Sequence, residues 1–379
     1  MMSLFGLGMA YIATGIFEDD DAVQDQNGDT GGANGEPTGD TTGGAPDLLP
    51  DPLPSSDPIP VATNSTATGT SGNDIFDLIE TADGVENASV TAGAGNDILD
   101  LFDETSNSTG PVDDRTIIGS VIDAGAGNDD LSALVWSSRV EMGDGDDTVT
   151  LLQESFDNIV NLGDGNDVFS GVGGSGPLTI VSGGDGNDTL SGRFNLDLRG
   201  DAGDDTIGFS GLVEGGTGYA TLVDGGTGED TISFTGSGIT TVGDSALSAR
   251  GGADGDLFVL DISEGDTANT RDFDAGVFEQ EDGSLLFEVL NLPDFKPGQD
   301  LVQIDATPNG DGYDLTTARL EDGVNNGFAV STLILRYEHA SAPAQETTVI
   351  IGSPDVEWDD IRFVGQDIPT LVPLTPIGS

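Results

Sequence analysis

The stretch Gly183-Gly184-Asp185-Gly186-Asn187-Asp188-Thr189-Leu190-Ser191 is one copy of the nine-residue pattern that decides the fold of this chain. The nine places read small residue or Gly, Gly, any residue, Gly, Asn or Asp, Asp, any residue, apolar residue, any residue. The pattern occurs eight times between residues 69 and 233, and other clear copies are 92–100, 162–170 and 225–233. A repeat this regular indicates the architecture before local propensities are considered.

The residue types of the pattern favour one kind of metal site. Glycine lets the backbone turn tightly with positive φ and direct carbonyls inward, and the sixth place adds a carboxylate. Oxygen ligands without nitrogen or sulfur are what Ca²⁺ takes. The sixth-place residues are Asp74, Asp97, Asp129, Asp147, Asp167, Asp188, Asp205 and Asp230. A degenerate ninth copy at 251–256, with Gly and Asp exchanged at the fourth and fifth places, adds Asp256.

The pattern resembles the Gly-Gly-x-Gly-x-Asp-x-U-x nonapeptide, with U apolar, of the RTX or hemolysin-type calcium-binding repeat proteins. This resemblance covers residues 67–260 and implies a parallel β-roll, Ca²⁺ bound between stacked turns, and export by a type I secretion system. It also implies that each ion takes sixth-place carboxylates and glycine carbonyls from two successive turns. The glycines concerned are Gly93, Gly95, Gly125, Gly127, Gly143, Gly145, Gly163, Gly165, Gly184, Gly186, Gly203, Gly226 and Gly228.

The spacing of the sixth-place residues indicates how the turns stack. Successive copies lie 23, 32, 18, 20, 21, 17, 25 and 26 residues apart, the longest interval carrying an insertion at 103–115. One coil therefore has two strands and two turns, of which only one carries the full motif. Opposite turns at 173–178 and 215–220 have Leu178 and Ala220 in place of the Asp. We expect a one-sided calcium ladder, with about five ions between the turns of Asp129 and Asp230 and up to two more towards Asp74.

Apolar residues recur at fixed places, as strands that share a core require. The eighth place is apolar in every full copy, and the residue two before the motif is Val, Ile or Leu in seven copies. Alternate residues of a strand face the same side, so each coil contributes two inward side chains. We predict an all-β fold, a right-handed parallel β-roll or β-solenoid. The acidic residues at the third place, Asp144, Asp164 and Asp185, are expected to be solvated.

Charge and cysteine content limit the classes of partner. The chain carries 69 acidic and 10 basic residues, a net charge of −59. Such a chain repels nucleic acid and anionic membranes and favours cations. A halophilic or marine solubility surface is an alternative explanation that can hold at the same time, but acids recurring at one place of a repeat favour calcium. Cysteine is absent, so disulfides and thiolate metal sites are excluded.

The sequence divides into four parts. Residues 1–17 are apolar and lack the basic residues of a secretory signal; they are either an atypical signal or anchor, or a sticky terminal segment. Residues 18–66 are acidic and rich in Gly and Pro, which predicts a disordered linker. Residues 67–260 are the predicted β-roll. Residues 261–379 keep apolar runs without the repeat, which predicts a β-rich C-terminal cap with an export signal, since a solenoid end needs covering.

These features predict an exported, extracellular or cell-surface calcium-binding protein with a structural, matrix or adhesive role. Its partners are calcium, a type I exporter, and a surface or polysaccharide ligand that the sequence does not identify. A secreted polysaccharide-modifying enzyme of lyase or epimerase type is the alternative, and it would use Arg193 and Arg199, the one close basic pair in the array. We interpret that pair as surface residues and assign no catalytic residue.

Other active-site motifs do not fit the sequence. His339 is the one histidine, so a two-His zinc motif is excluded, and no Gly-x-Ser-x-Gly elbow occurs. A stretch starting at Asp305 begins like an EF-hand loop but has Thr316 where the bidentate Glu is required.

Overall fold

The structure is a computed structural model. It describes residues 57–78, 84–102, 116–174, 176–193, 195–210, 222–235, 247–261, 277–279, 285–305, 313–365 and 370–375. The predicted segment 1–17 and residues 18–56 of the predicted linker lie outside these ranges. So do the insertion 103–115, the turn 215–220 and residues 306–312 of the EF-hand-like stretch.

The described residues form 29 β-strands and one 3-10 helix, Trp358–Asp360. The first fifteen strands are β1 (Ile59–Val61), β2 (Thr66–Thr68), β3 (Ile75–Leu78), β4 (Val85–Glu86), β5 (Ser89–Ala94), β6 (Ile98–Leu101), β7 (Thr116–Ile118), β8 (Val121–Ala126), β9 (Asp130–Trp136), β10 (Arg139–Asp144), β11 (Thr148–Ser155), β12 (Ile159–Asp164), β13 (Val168–Gly173), β14 (Thr179–Asp185) and β15 (Thr189–Arg193). The others are β16 (Leu196–Ala202), β17 (Thr206–Ser210), β18 (Leu222–Thr227), β19 (Thr231–Thr235), β20 (Ser248–Ala253), β21 (Leu257–Asp261), β22 (Val277–Glu279), β23 (Leu285–Leu292), β24 (Leu301–Asp305), β25 (Tyr313–Asn325), β26 (Phe328–His339), β27 (Gln345–Ile351), β28 (Ile361–Val364) and β29 (Thr370–Thr375).

The strands assemble into two long sheets in which most neighbours are parallel. Sheet A has the order β1-β3-β6-β9-β11-β13-β15-β17-β19-β21-β24-β28, with β7 beside β9 and β4 beside β7. Sheet B has the order β2-β5-β8-β10-β12-β14-β16-β18-β20-β23-β27-β26-β25-β29, with β22 beside β23. The chain alternates between the sheets, so each coil contributes one strand to each. The architecture is a β-solenoid, which confirms the predicted fold class.

The glycine motif joins the end of a sheet B strand to the start of a sheet A strand. In the copy 183–191, β14 ends at the third place and β15 begins at the seventh. Equivalent places pair between coils, as Gly163 pairs with Gly184 and Phe169 with Leu190. We call the row of motif turns the glycine edge. The return turns, such as the one between β13 and β14, form the opposite edge.

The interior is a stack of apolar rows with one residue per coil. The eighth-place row is buried on sheet A and comprises Phe76, Leu99, Leu131, Val149, Phe169, Leu190, Ile207, Ile232 and Phe258. The row two residues before the motif is buried on sheet B and comprises Ala67, Val90, Ile122, Val140, Val160, Val181, Leu198, Val223 and Ala249. The sequence prediction is confirmed for both rows. A third row, which includes Leu101, Phe209 and Phe234, completes a narrow core.

Both sheets extend beyond the residues that the sequence assigns to the roll. Strand β1 pairs with β3, so residues 59–61 of the predicted linker belong to the first coil. After residue 260, β23 and β24 add one coil, and β27 and β28 add another. The nine-residue pattern does not extend to these coils because their turns lack the paired glycines. The first of these turns is Pro293-Asp294-Phe295-Lys296-Pro297-Gly298-Gln299-Asp300.

A long hairpin completes the C-terminal part of sheet B. Strands β25 and β26 are antiparallel and join through Asn326 and Gly327, which both have the positive φ that a tight hairpin turn needs. Strand β26 pairs with β27, and β29 pairs with β25. In the part of the chain that the structure describes, no helix is long and apolar enough to cross a membrane.

Candidate metal centre

The sixth-place aspartates form a continuous hydrogen-bonded row along the glycine edge, which we call the aspartate ladder. The backbone N–H of each residue donates to Oδ1 of the aspartate in the following coil, as Asp167 donates to Asp188 at 2.8 Å. This bond occurs nine times at 2.7 to 3.2 Å. The members are Asp74, Asp97, Asp129, Asp147, Asp167, Asp188, Asp205, Asp230, Asp256 and Asp300. The structure thus brings together all nine candidates from the sequence and adds Asp300.

The second carboxylate oxygen, Oδ2, has no hydrogen-bond partner in the interior of the ladder. The eight residues concerned are Asp97, Asp129, Asp147, Asp167, Asp188, Asp205, Asp230 and Asp256. Their exposed fractions are only 1 to 2%. Leaving a buried polar group unpaired costs about 1–3 kcal/mol, and more when it is charged. Eight such oxygens at one repeated position indicate a partner that the protein itself does not supply.

The two ends of the aspartate ladder differ from its interior. Oδ2 of Asp74 accepts the backbone N–H of Thr70 at 2.6 Å. Oδ2 of Asp300 accepts the N–H of Lys296 at 2.7 Å. In both coils the donor stands four residues before the aspartate, at the second place. The protein therefore satisfies the terminal carboxylates with its own backbone and leaves only the interior ones unpaired.

Glycine carbonyls border the spaces between successive motif turns, which we call the gaps. Gly163 and Gly165 have φ of +123° and +151°, values that side-chain-bearing residues rarely adopt. Their carbonyl oxygens point at the equivalent glycines of the following coil, where an added Cβ would overlap them. The arrangement recurs from the coil of Asp97 to that of Asp230, with Asp201 (φ +72°) replacing one second-place glycine. The predicted glycines therefore lie beside the aspartate ladder.

The first-place glycines let the backbone approach the unpaired Oδ2 closely. A Cβ added to Gly183 would overlap Oδ2 of Asp188 and would lie 2.7 Å from the carbonyl oxygen of Gly200 in the following coil. The same holds at Gly200 and Gly225. Each such gap therefore brings together a carboxylate oxygen of one coil and a carbonyl oxygen of the next.

Burial raises the pKa of the interior carboxyls of the ladder. Desolvation is the largest cause, the N–H bond from the preceding coil opposes it, and neighbouring carboxylates mostly add to it. The pKa rises to about 6 for Asp129, Asp167 and Asp230 and to about 7 for Asp147, Asp205 and Asp256. Ionising the whole row without a counter-charge is therefore unfavourable.

The fifth-place residues form a second row beside the ladder, exposed from Asn128 to Glu229, which the nine-residue pattern alone did not predict. The backbone N–H of Asn187 donates to Oδ1 of Asn166 in the preceding coil at 3.0 Å. The bond recurs along the array up to Glu229. Its direction is opposite to that of the aspartate ladder, so each turn is tied to both of its neighbours. The sequence feature that indicates this row is the Asn or Asp at the fifth place of the pattern.

The opposite edge carries an uncharged ladder of the same geometry. The N–H groups of Ala88, Ser120, Ser138 and Asn158 donate to side-chain oxygens of Ser120, Ser138, Asn158 and Thr179 at 2.9 to 3.4 Å. Among the described residues, none of these side chains keeps a buried polar atom without a partner. Unlike the aspartate ladder, this row therefore carries neither charge nor unpaired buried oxygens.

The donor set of the gaps fits Ca²⁺. Every group that converges there is a carboxylate or carbonyl oxygen, which is the ligand set of a hard divalent cation. Within the described ranges no group of three or more His, Cys, Asp or Glu side chains could hold a metal ion. A site with one aspartate per coil has at most two carboxylates to a gap, so it depends on backbone carbonyls for its remaining ligands.

The other residues considered from the sequence lie away from the gaps or do not come together. Asp144, Asp164 and Asp185 are exposed, and their carbonyls accept the N–H of a fourth-place glycine in the preceding coil. Arg193 lies on β15 of sheet A and Arg199 on β16 of sheet B. The basic pair that a lyase would need is therefore divided between the two sheets.

The fold and the site define a β-solenoid with an oxygen-lined, acidic ladder along one edge. No protein-family model matches the chain, and no curated protein matches it.

Proposed function

We propose that the chain is an exported calcium-binding protein of the RTX, or hemolysin-type, kind, whose β-roll is completed by Ca²⁺ in the gaps. The observation that carries the proposal is the row of eight buried carboxylate oxygens without partners. The eight aspartates from Asp97 to Asp256 enclose seven gaps, and we assign one ion to each. Oδ2 and glycine carbonyls of neighbouring coils are the ligands.

Calcium in these gaps would couple binding to folding. The ions would neutralise carboxylates that otherwise repel one another, in a chain of net charge −59. The ligands of each site come from coils that meet only in the folded state, so the free energy of binding becomes free energy of folding. The array then acts as a structural element that forms where Ca²⁺ is abundant.

The proposed setting is the cell exterior, with a role at the surface or in a matrix. Extracellular calcium-binding modules have dissociation constants of about 10⁻⁴–10⁻³ M, so such sites stay empty where Ca²⁺ is scarce. An array that stays unfolded inside the cell can be threaded through a type I exporter, and folding outside prevents its return. Secretion that depends on a co-expressed type I exporter is the expected result for the full chain.

A calcium titration of the purified full chain tests the proposal. Without metal we expect a largely unordered circular dichroism spectrum, and at about millimolar Ca²⁺ a β spectrum with seven ions bound per chain by equilibrium dialysis. Mg²⁺ at the same concentration is the control, because it demands octahedral geometry and retains its water. Identical spectra with and without Ca²⁺, together with no bound calcium, would contradict the proposal.

A further inference from the structure

The junction between the coils of Asp256 and Asp300 belongs to the aspartate ladder. Asp256 donates its N–H to Oδ1 of Asp300 at 3.2 Å, and the strands that follow pair with Leu257 opposite Leu301. In this register the second place of the later coil, four residues before Asp300, holds Lys296. Lys296 is the one lysine of the chain.

The ammonium of Lys296 lies in this junction. Its Nζ donates to the carbonyl oxygen of Gly252, the second-place residue of the preceding coil. The equivalent carbonyls of the earlier coils are those that border the gaps assigned to calcium. The N–H of Gly252 donates to Oδ2 of Asp294 at 3.0 Å. Both polar groups of Gly252 are therefore engaged by side chains of the following turn.

The charge of Lys296 acts on the carboxylates at both sides of the junction. Burial raises the pKa of Asp256 and of Asp300, and the ammonium opposes that rise in both. Lys296 donates no hydrogen bond to Oδ2 of Asp256, which keeps no partner, so this effect is one of charge. The lysine also explains why eight unpaired Oδ2 atoms correspond to seven ions. If each Oδ2 binds the ion in the gap that follows its own coil, as the positions of Asp188 and Gly200 indicate, the Oδ2 atoms from Asp97 to Asp230 bind seven ions. The remaining Oδ2, that of Asp256, then lies at the junction that holds Lys296.

We infer that Lys296 is a tethered cation that takes the place of Ca²⁺ between Asp256 and Asp300, so that the calcium ladder ends there and this junction closes without metal. The inference rests on the proposed function for the seven earlier gaps. A lysine ammonium is a compact charge with three donors, and it meets carbonyl and carboxylate oxygens as the metal would. A second cation beside it would be repelled.

Counting bound calcium in the variant Lys296→Gly tests the inference. The change removes the ammonium and restores the glycine that the second place usually carries, so the variant should bind one more Ca²⁺ per chain than the wild type. Arg139→Gln is the control, because it removes a half-exposed positive charge paired with Glu141 on β10, and its calcium count should equal that of the wild type. Circular dichroism in saturating calcium checks that each protein is folded.

Hydrogen exchange without calcium gives a second, independent readout. In the wild type the amides of β24 should remain protected while those of β13 exchange, since only the junction of β24 carries its own cation. In Lys296→Gly, protection of β24 should require calcium. An unchanged calcium count, or wild-type protection of β24 that needs calcium, would overturn the role of Lys296. A wild type that binds no calcium at all would instead overturn the proposed function.

Discussion

Replacing Asp167 by Asn should change stability in opposite directions with and without calcium. Asn keeps an Oδ1 that can accept the N–H now donated by Asp147 at 2.8 Å, but it carries no charge. In calcium-loaded protein the substitution removes a carboxylate that borders two gaps, so it should weaken binding and lower stability. In calcium-free protein it removes a buried negative charge that lies among other carboxylates, so it should raise stability.

The size of the calcium-free effect follows from the pKa of Asp167, which burial raises to about 6 from its ordinary 3.8. Because the folded state holds its proton more tightly than the unfolded state, folding stability is fully present below about pH 4 and falls as the pH rises towards 6. A difference of about two pKa units corresponds to about 3 kcal/mol above pH 7. The calcium-free wild type should therefore gain β structure on acidification, and Asp167→Asn should retain part of it at pH 8.

Circular dichroism of resin-stripped protein between about pH 5 and pH 8 measures this effect. The pH at which the β spectrum is lost should be higher for Asp167→Asn than for the wild type. Asp185→Asn is the matched control, because it makes the same charge change at an exposed third-place acid of the next coil. A wild type that is equally folded at both ends of the range, or equal shifts for the two variants, would refute the reasoning.

Three further substitutions separate packing from metal binding. Gly163→Ala should destabilise the calcium-loaded protein by about 3 kcal/mol or more, since its Cβ would be strained at φ +123° and would overlap a carbonyl oxygen. Gly208→Ala is the control and should be neutral, because its Cβ meets only ordinary contacts. Equal melting temperatures for the two variants would refute the argument. Phe169→Ala should cost about 3–5 kcal/mol in urea unfolding because the ring is fully buried, with the calcium count unchanged. Asn158→Ala should cost about 1–3 kcal/mol, also with an unchanged count, and loss of an ion would mean that the metal sites are not confined to the glycine edge.

The repeat itself makes most of the solenoid predictable. Each copy contains a glycine turn and an apolar eighth place, so sheet A, its core row and the aspartate ladder follow from a single nine-residue pattern. Asp256 joins the ladder although its copy is degenerate, with Asp254 at φ +66° in the fourth place and glycine in the fifth. The sixth place is kept because the ladder bond depends on the aspartate and its register more than on the glycines around it.

The parts that could not be predicted depend on contacts between distant segments. Asp300 follows Asp256 by 44 residues and lacks a glycine motif, so only the strand register reveals its place. The uncharged ladder of the opposite edge uses serine, asparagine and threonine at variable spacing, which no periodic search detects. The role of Lys296 could not be predicted for the same reason, since its second-place position is recognised only when its coil is aligned with the others.

The intervals between successive aspartates range from 17 to 44 residues, yet the ladder bonds stay between 2.7 and 3.2 Å. The chain takes up most of this variation between the end of a sheet A strand and the start of the next sheet B strand, for example between β15 and β16 or between β17 and β18. The glycine edge thus keeps a constant spacing between coils, whereas the opposite edge accepts connections of different length. Connections on the opposite edge can therefore be lengthened, in evolution or by design, to display new recognition sequences at regular intervals without altering the spacing of the aspartates.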